Sequence, residues 1–375
     1  MGDIFTFYSS NSFSREKLNY ENGDVKNIHY GDIHTKYPTI LSLRSNNEVP
    51  YINNDVDLSK FKKNQYLQNG DLIIADASED YEDIGKAIEV KDIGDEKVLA
   101  GLHTILARDE NNLLVNGFKA YLFSTNNLKT KIKVIANGIS VLGISKNNLS
   151  KLTVNLPSED EQQKIVSFIL SIDRKIQLLE QKHQFCLDFK EYLMQQIFAQ
   201  NLRFDFKDEW KQYKLKDLLT VKSSSISFNQ LDDNIGTYPL YGASGFLKNI
   251  DFCEMEMDYI SIVKDGSGVG NLSYHEKNSS IVNTSQYLLP KKNFDIHFLY
   301  YLLQTLNLLK YVNGSSIPHI YFKDYCIEKV EVPSLSEQEQ IGKLFVNADK
   351  TLKNISNCIQ VTQEFKNGLL QQMFV

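Results

Sequence analysis

The triplet Glu89-Val90-Lys91, with Asp76 upstream, has the acidic-x-lysine character that holds magnesium in nucleases. Triplets of the same kind recur at Asp188 to Lys190 and Asp205 to Lys207, and spacing alone does not bring two carboxylates onto one metal. The run Gly266-Ser267-Gly268-Val269-Gly270 has the look of a phosphate loop. It lacks the third glycine of a dinucleotide fingerprint and the Lys-Ser/Thr that closes a nucleotide loop, so a tight turn presenting backbone N–H groups is the better reading. HExxH, GxSxG and the Asn-Pro-Pro or Asp-Pro-Pro of amino-methyltransferases are absent. The four cysteines, Cys186, Cys253, Cys326 and Cys358, are dispersed, with no CxxC pair and no histidine at ligand spacing.

A chain of 375 residues with 42% apolar content can bury a sizeable core, and its length suggests two or three domains. No run of eighteen apolar residues and no signal peptide is present, so no membrane association and a reducing cytoplasm are expected. Met1, Gly2 and Thr6 fit a myristoylation pattern, but no polybasic second signal follows. The net charge of −6 withholds the simplest argument for nucleic-acid binding, which rests on clustered lysine and arginine.

An internal repeat organises the chain. Pro157 to Phe198 recurs as Pro333 to Phe374 with an offset of 176 and no gap, and thirteen of the 42 positions are identical. These include Pro157, Ser158, Glu161, Gln162, Ile165, Asp173, Phe189, Lys190 and Phe198. The same offset pairs Asn137 and Gly138 with Asn313 and Gly314, and Ile144 with Ile320. Asp3, Thr6, Ser9 and Ser10 instead match Asp217, Thr220, Ser223 and Ser224 at an offset of 214. Each half therefore has shared ends around a divergent centre.

The shared segments read as long helices. Ser158 with Glu161, and Ser334 with Glu337, have the spacing of capping boxes, and Pro157 and Pro333 oppose any upstream extension. Steps of four and three from Ile165 reach Ile169, Ile172, Ile176, Leu179, His183, Cys186, Lys190, Leu193 and Ile197, eight apolar residues in ten. The same steps from Ile341 reach Phe345, Ala348, Leu352, Ile355, Ile359, Thr362, Lys366, Leu369 and Met373, again eight in ten. The pattern is that of a coiled-coil seam, and a helix from Glu159 to Ala199 would be about 60 Å long. Between the helices, Asp71 to Ala75 and Asp258 to Lys264 read as strands and Phe298 to Tyr311 as a helix. The expected fold is mixed α/β or α+β. Boundaries are expected at 1–156, 157–200, 201–332 and 333–375, with the two helices antiparallel and the halves related by a pseudo-two-fold axis.

Pro-Ser-x-x-Glu-Gln-x-x-Ile opening a long helix, twice, behind two divergent domains, resembles the specificity subunit of type I restriction-modification systems. Pro239-Leu240-Tyr241-Gly242-Ala243-Ser244-Gly245, Asp265 to Gly270 and Gly314-Ser315-Ser316-Ile317-Pro318-His319-Ile320 add to the resemblance in the second half. His29-Tyr30-Gly31-Asp32-Ile33 and Asn69-Gly70-Asp71-Leu72 add to it in the first. In one departure, Asn201 to Tyr213 precedes the second domain, whereas the first opens at the counterpart of Lys216, so a similar leading segment is expected to be missing there.

The resemblance implies a non-catalytic DNA-recognition subunit. Two target recognition domains would each read half of a bipartite double-stranded DNA site, and the helices would set the spacing and dock two methyltransferase subunits. Restriction subunits would join further out. S-adenosylmethionine, ATP and magnesium would belong to those partners, with no cofactor or metal in this chain. Because base edges are read by amides, hydroxyls and charged groups, candidate DNA-binding residues in the first half are His29, Tyr30, His34, Ser78, His103, Thr104 and Ser140. In the second they are Tyr241, Ser244, Lys264, Ser267, Thr284, Ser285, Gln286, Ser316 and His319. Two other classes compete: a self-sufficient magnesium-dependent DNA-modifying enzyme built on Asp76, Glu89 and Lys91, and a coiled-coil adaptor binding only proteins.

Overall fold

A computed structural model describes residues 1–44, 49–231, 234–314 and 317–374. The fold is mixed α+β. The chain divides into two compact units, Met1–Leu178 with Ile359–Val375, and Leu179–Cys358. Two long helices, Glu159–Phe198 and Leu335–Met373, each contribute one part to either unit.

The first unit is built on a five-stranded sheet in the order Thr6–Ser9, Thr104–Arg108, Leu72–Ala75, Ala87–Lys91, Ile40–Ser42, antiparallel except for its last pair. Side chains alternate across a strand, and both faces of Leu72–Ala75 are buried. Leu72 and Ile74 pack with Phe118, Tyr121, Ile165 and Ile169, whereas Ile73 and Ala75 pack with Ile28, Leu41 and Val98 under a second sheet. That two-sided burial is why the stretch reads as an unbroken apolar run rather than an alternating one.

In the second unit the strands Leu219–Ser223, Ser285–Pro290, Tyr259–Val263 and Leu272–His275 form an antiparallel sheet in that order. It matches the first four strands of the larger sheet, pairing for pairing. One face, through Ile260, Ile262 and Leu288, covers Phe298, Leu302, Ile341 and Phe345; the other carries Tyr259 and Tyr287. The helix expected over Phe298 to Tyr311 is shorter: an α-helix runs Ile296–Gln304, the Thr305 hydroxyl donates back to the Leu302 carbonyl, and Leu308–Tyr311 is a separate 3₁₀ turn.

All twenty seam positions of the long helices are buried or half-buried. In the first unit the Lys366 ammonium lies 2.5 Å from Asp173 and over the ring of Tyr121, whose hydroxyl donates to Asp173 at 2.7 Å. In the second, Lys190 lies 2.5 Å from Asp349 and over Tyr301, whose hydroxyl donates to Asp349 at 2.7 Å. Lys190 and Lys366, like Asp173 and Asp349, are 176 apart, so the two triads are repeats of each other. The Asp173 and Asp349 carboxylates are partly exposed, which limits each ion pair, but removal would strand a mostly buried ammonium and a tyrosine hydroxyl. Asp173→Ala and Asp349→Ala are each expected to cost about 1–2 kcal/mol, by similar amounts, in urea midpoints.

Gln162 and Gln338 are also repeats with one task. Each Oε1 accepts an amide at 2.9 Å, from Val115 and Asp295 respectively, and each Nε2 donates to the proline carbonyl five residues back. The long helix is thereby tied to the start of the short helix beneath its sheet. Glu337 departs from the capping-box reading. Fully buried, its carboxylate accepts from Arg203 and from the Trp210 indole.

Candidate nucleic-acid interface

At one end of each main sheet three segments converge, held by backbone hydrogen bonds that correspond one for one. In the first unit the Asp76 amide donates to the His103 carbonyl at 3.0 Å and the Ile144 amide to the Asp76 carbonyl at 2.9 Å. In the second unit the Lys264 amide donates to Thr284 and the Ile320 amide to Lys264, both at 2.9 Å. The return loops close alike: Asn137 and Gly143 exchange both backbone bonds, as do Asn313 and His319. Lys264 thus stands where Asp76 stands, Thr284 where His103 stands, and 313–319 where 137–143 stands.

This frame gathers the first-half candidates. Ser78 pairs with Leu142 across the two-stranded ribbon that carries the exposed Ser140 loop. The Tyr30 ring lies 4.7 Å from that of His29, 6.0 Å from His34 and 5.3 Å from His103, while His34 Nε2 is 3.2 Å from the Ala77 carbonyl. His103 has a left-handed backbone, φ 53°, and its Nδ1 sits 3.5 Å from Asp76. Burial raises the Asp76 carboxyl above its ordinary value, with the His103 charge opposing.

In the second unit Lys264 pairs with Asp265, which the sequence reading did not single out and which forms a bridge with His319. Ser267 is exposed on the glycine loop, where the Gly266, Val269 and Gly270 amides bond inward. Thr284 is exposed, His319 stacks on Tyr321 at 5.0 Å, and Tyr241 lies 4.4 Å from His275. Ser244 is exposed on the turn between Tyr238–Gly242 and Gly245–Ile250, and its neighbour Ala243 adjoins Gly268. Gln286 Nε2 donates to Ser223, and its buried Oε1 has no partner. Ser316 lies outside the described residues.

Four candidates are buried and bonded within their own loops. His29 Nδ1 accepts from the Gly31 amide, Ser78 Oγ accepts from the Asp80 amide, and Thr104 Oγ1 donates to the Gly101 carbonyl; Ser285 is 2% exposed. The side chains facing outward from the shared frame are Tyr30, His103, Ser140, Ser244, Lys264, Ser267, Thr284 and His319.

Two imidazoles brace this region and are sensitive to acid. Burial, reinforced by Arg15, pushes His29 down to about 4, and burial alone pushes His275, bonded to Ser261 at 2.9 Å, down to about 4. Both stay neutral in the folded chain, whereas the ordinary value of 6.5 applies after unfolding. Between these values the unfolded chain binds more protons, so stability is expected to fall as pH drops from 6.5 to about 4. His29→Asn, which keeps an N-capping acceptor, combined with His275→Gln should flatten the urea midpoint across that window.

The acidic-lysine triplet does not assemble. Glu89 is buried opposite Leu72, one end of a strand whose other end leads to Asp76, and its carboxylate accepts the Gly117 and Ala120 amides with Lys119 at 3.9 Å. Burial raises Glu89 above its ordinary value, and Lys119 opposes this. Lys91 is exposed. Among the described residues no three His, Cys, Asp or Glu side chains gather to hold a metal, and no helix is long and apolar enough to cross a membrane.

Residues 2–184 and 207–363 each match the type I restriction modification DNA specificity domain, together most of the chain. The chain belongs to that family. Each specificity-domain match contains one complete set of the three converging segments and ends inside a long helix. The chain is 26% identical over 182 residues to a type I restriction enzyme specificity subunit of Methanocaldococcus jannaschii, which is 44% of this chain and 42% of that relative, under half its length. A putative type I specificity subunit of Mycoplasma genitalium is 22% identical over 272 residues, 67% of this chain and 69% of its own length. The crystal structure of a type I restriction-modification S subunit from M. genitalium has the same fold, with a TM-score of 0.64 at 17% identity over 100% of this chain and 94% of that one.

Proposed function

We propose that the chain reads DNA for a type I restriction-modification complex, each unit reading one half of a bipartite site. The observation that carries this is the shared backbone frame with unlike side chains on it. Asp76 and His103 in one unit are replaced by Lys264 and Thr284 in the other, on the same hydrogen bonds. A constant frame with variable donors and acceptors suits two readers of different base sequences. On this reading the chain is not itself an enzyme. S-adenosylmethionine, ATP and magnesium act in its partners, and the complex works in the cytoplasm.

The long helices serve as an antiparallel coiled-coil spacer, supported by the apolar seam and the repeated Tyr-Asp-Lys triads. Their exposed aromatics suit two methyltransferase subunits, with restriction subunits joining further out. Phe185, Phe189 and Tyr192 are exposed on the first helix, and Val361 and Phe365, the repeats of Phe185 and Phe189, are exposed on the second. Equivalent patches favour two copies of one partner.

Exchange of Phe206 to Val332 for the same region of a relative tests the reading. Sequencing of methylated sites in cells that also carry the methyltransferase should show one half-site changed, with the other half and the spacer length retained. Alteration of both half-sites together would overturn it.

A further inference from the structure

The second unit contains a packing arrangement that the first leaves open. After the first long helix, residues 201–214 fold back so that Lys211–Lys214 pairs antiparallel with Lys329–Val332. Trp210 then sits edge-on to Phe298 at 6.0 Å, Tyr213 edge-on to Phe294 at 5.5 Å, and Arg203 clamps the buried Glu337 through two nitrogens at 3.1 and 2.8 Å.

The 176-residue offset places Thr153 to Leu156 where Lys329–Val332 stands and Glu161 where Glu337 stands. Among the described residues, no strand pairs with 153–156, whose backbone N–H groups have no partner. Glu161 is exposed and has no ion pair among them. A cavity of about 290 Å³ lies here, wholly within the first unit, lined by Leu122, Val154, Leu156, Glu161 and Phe374 among others.

We propose that this cavity and the open edge of 153–156 take an extended segment of a partner protein that carries a tryptophan and an arginine. The strand would add to the edge, the indole would fill the cavity, and the guanidinium would meet Glu161. The second unit shows that this fold closes over such a segment. The chain's own 201–214 is already engaged there, in this copy as in any other, so a different polypeptide must supply the occupant.

The probe is a labelled peptide with the sequence of residues 200–214, titrated into the full chain by fluorescence anisotropy, with hydrogen exchange on the complex. The expected result is saturable binding that protects 153–156. Glu161→Lys in the protein, or alanine at the peptide's tryptophan, should weaken it roughly tenfold or more. Circular dichroism checks that Glu161→Lys, at an exposed site, stays folded. The proposal is overturned by no saturation up to about 1 mM peptide, by affinity indifferent to both changes, or by protection that falls on 329–332 instead, which would mean that the peptide displaces its own counterpart in the second unit.

Discussion

Asp71→Ala should destabilise the first unit by about 3–5 kcal/mol. Asp71 and Arg108 are both buried, joined by two charge-assisted bonds of 2.8 and 2.7 Å. Arg108 also donates to the Asn64 and Tyr66 carbonyls, and Asp71 accepts the Gln68 amide, so the pair ties one end of two central strands to the loop crossing them. The Asp71 carboxylate, through this hydrogen bond, holds the guanidinium above its ordinary value, so Arg108 cannot escape its charge when the partner is lost. The cost comes from stranding that charge rather than from any large net gain of the pair. Hence the double variant Asp71→Leu with Arg108→Met should recover much of the loss. Urea unfolding followed by circular dichroism reads both; a double variant as unstable as the single would refute this account.

The sequence exposes the long helices because their identities lie at one gapless offset. It also holds the triads, though disguised: Lys190 and Lys366 read there only as exceptions to an apolar seam, and their partners Asp173 and Asp349 lie off it. Tyr121 and Tyr301 are 180 apart rather than 176, in stretches with little shared sequence, so nothing marks them as equivalent before the chain folds. The interface frame is less legible still. Its bonds join backbone groups, which place few demands on side-chain type, and for that reason Asp76 and Lys264 can be equivalent. Asn137 and Asn313 are the exception, since their repeat survives and both close a loop. Serines and threonines chosen as base readers divide by burial, because the same hydroxyl that can meet a base also satisfies a turn. Thr104 turns its hydroxyl inward, and Thr284 at the paired segment stays exposed.

The second unit should be most sensitive at Phe345, a repeat position where the first unit carries Ile169; both are fully buried. The Phe345 ring stacks 6.1 Å from Phe198 and lies 5.0 Å from Tyr301, and Phe198 continues to Phe298 and then Trp210. Alanine here leaves a cavity among rings that are themselves fixed by neighbours, so little collapse can offset the loss, and about 3–5 kcal/mol is expected. Tyr301 would also lose the contact that helps aim its hydroxyl at Asp349. Trp210 is the chain's only tryptophan and sits within this unit, so its emission reports the event locally. Phe345→Ala should shift both native emission and the urea midpoint read by fluorescence. Ile169→Ala, although costly at about 2–5 kcal/mol, lies in the other unit and should leave native emission unchanged. Phe345→Leu should restore part of the midpoint by refilling volume. A fluorescence midpoint displaced by less than about 1 kcal/mol in Phe345→Ala would show that these rings are not a rigid core, and that the helix is held to its sheet chiefly by Gln338 and the Lys190 triad.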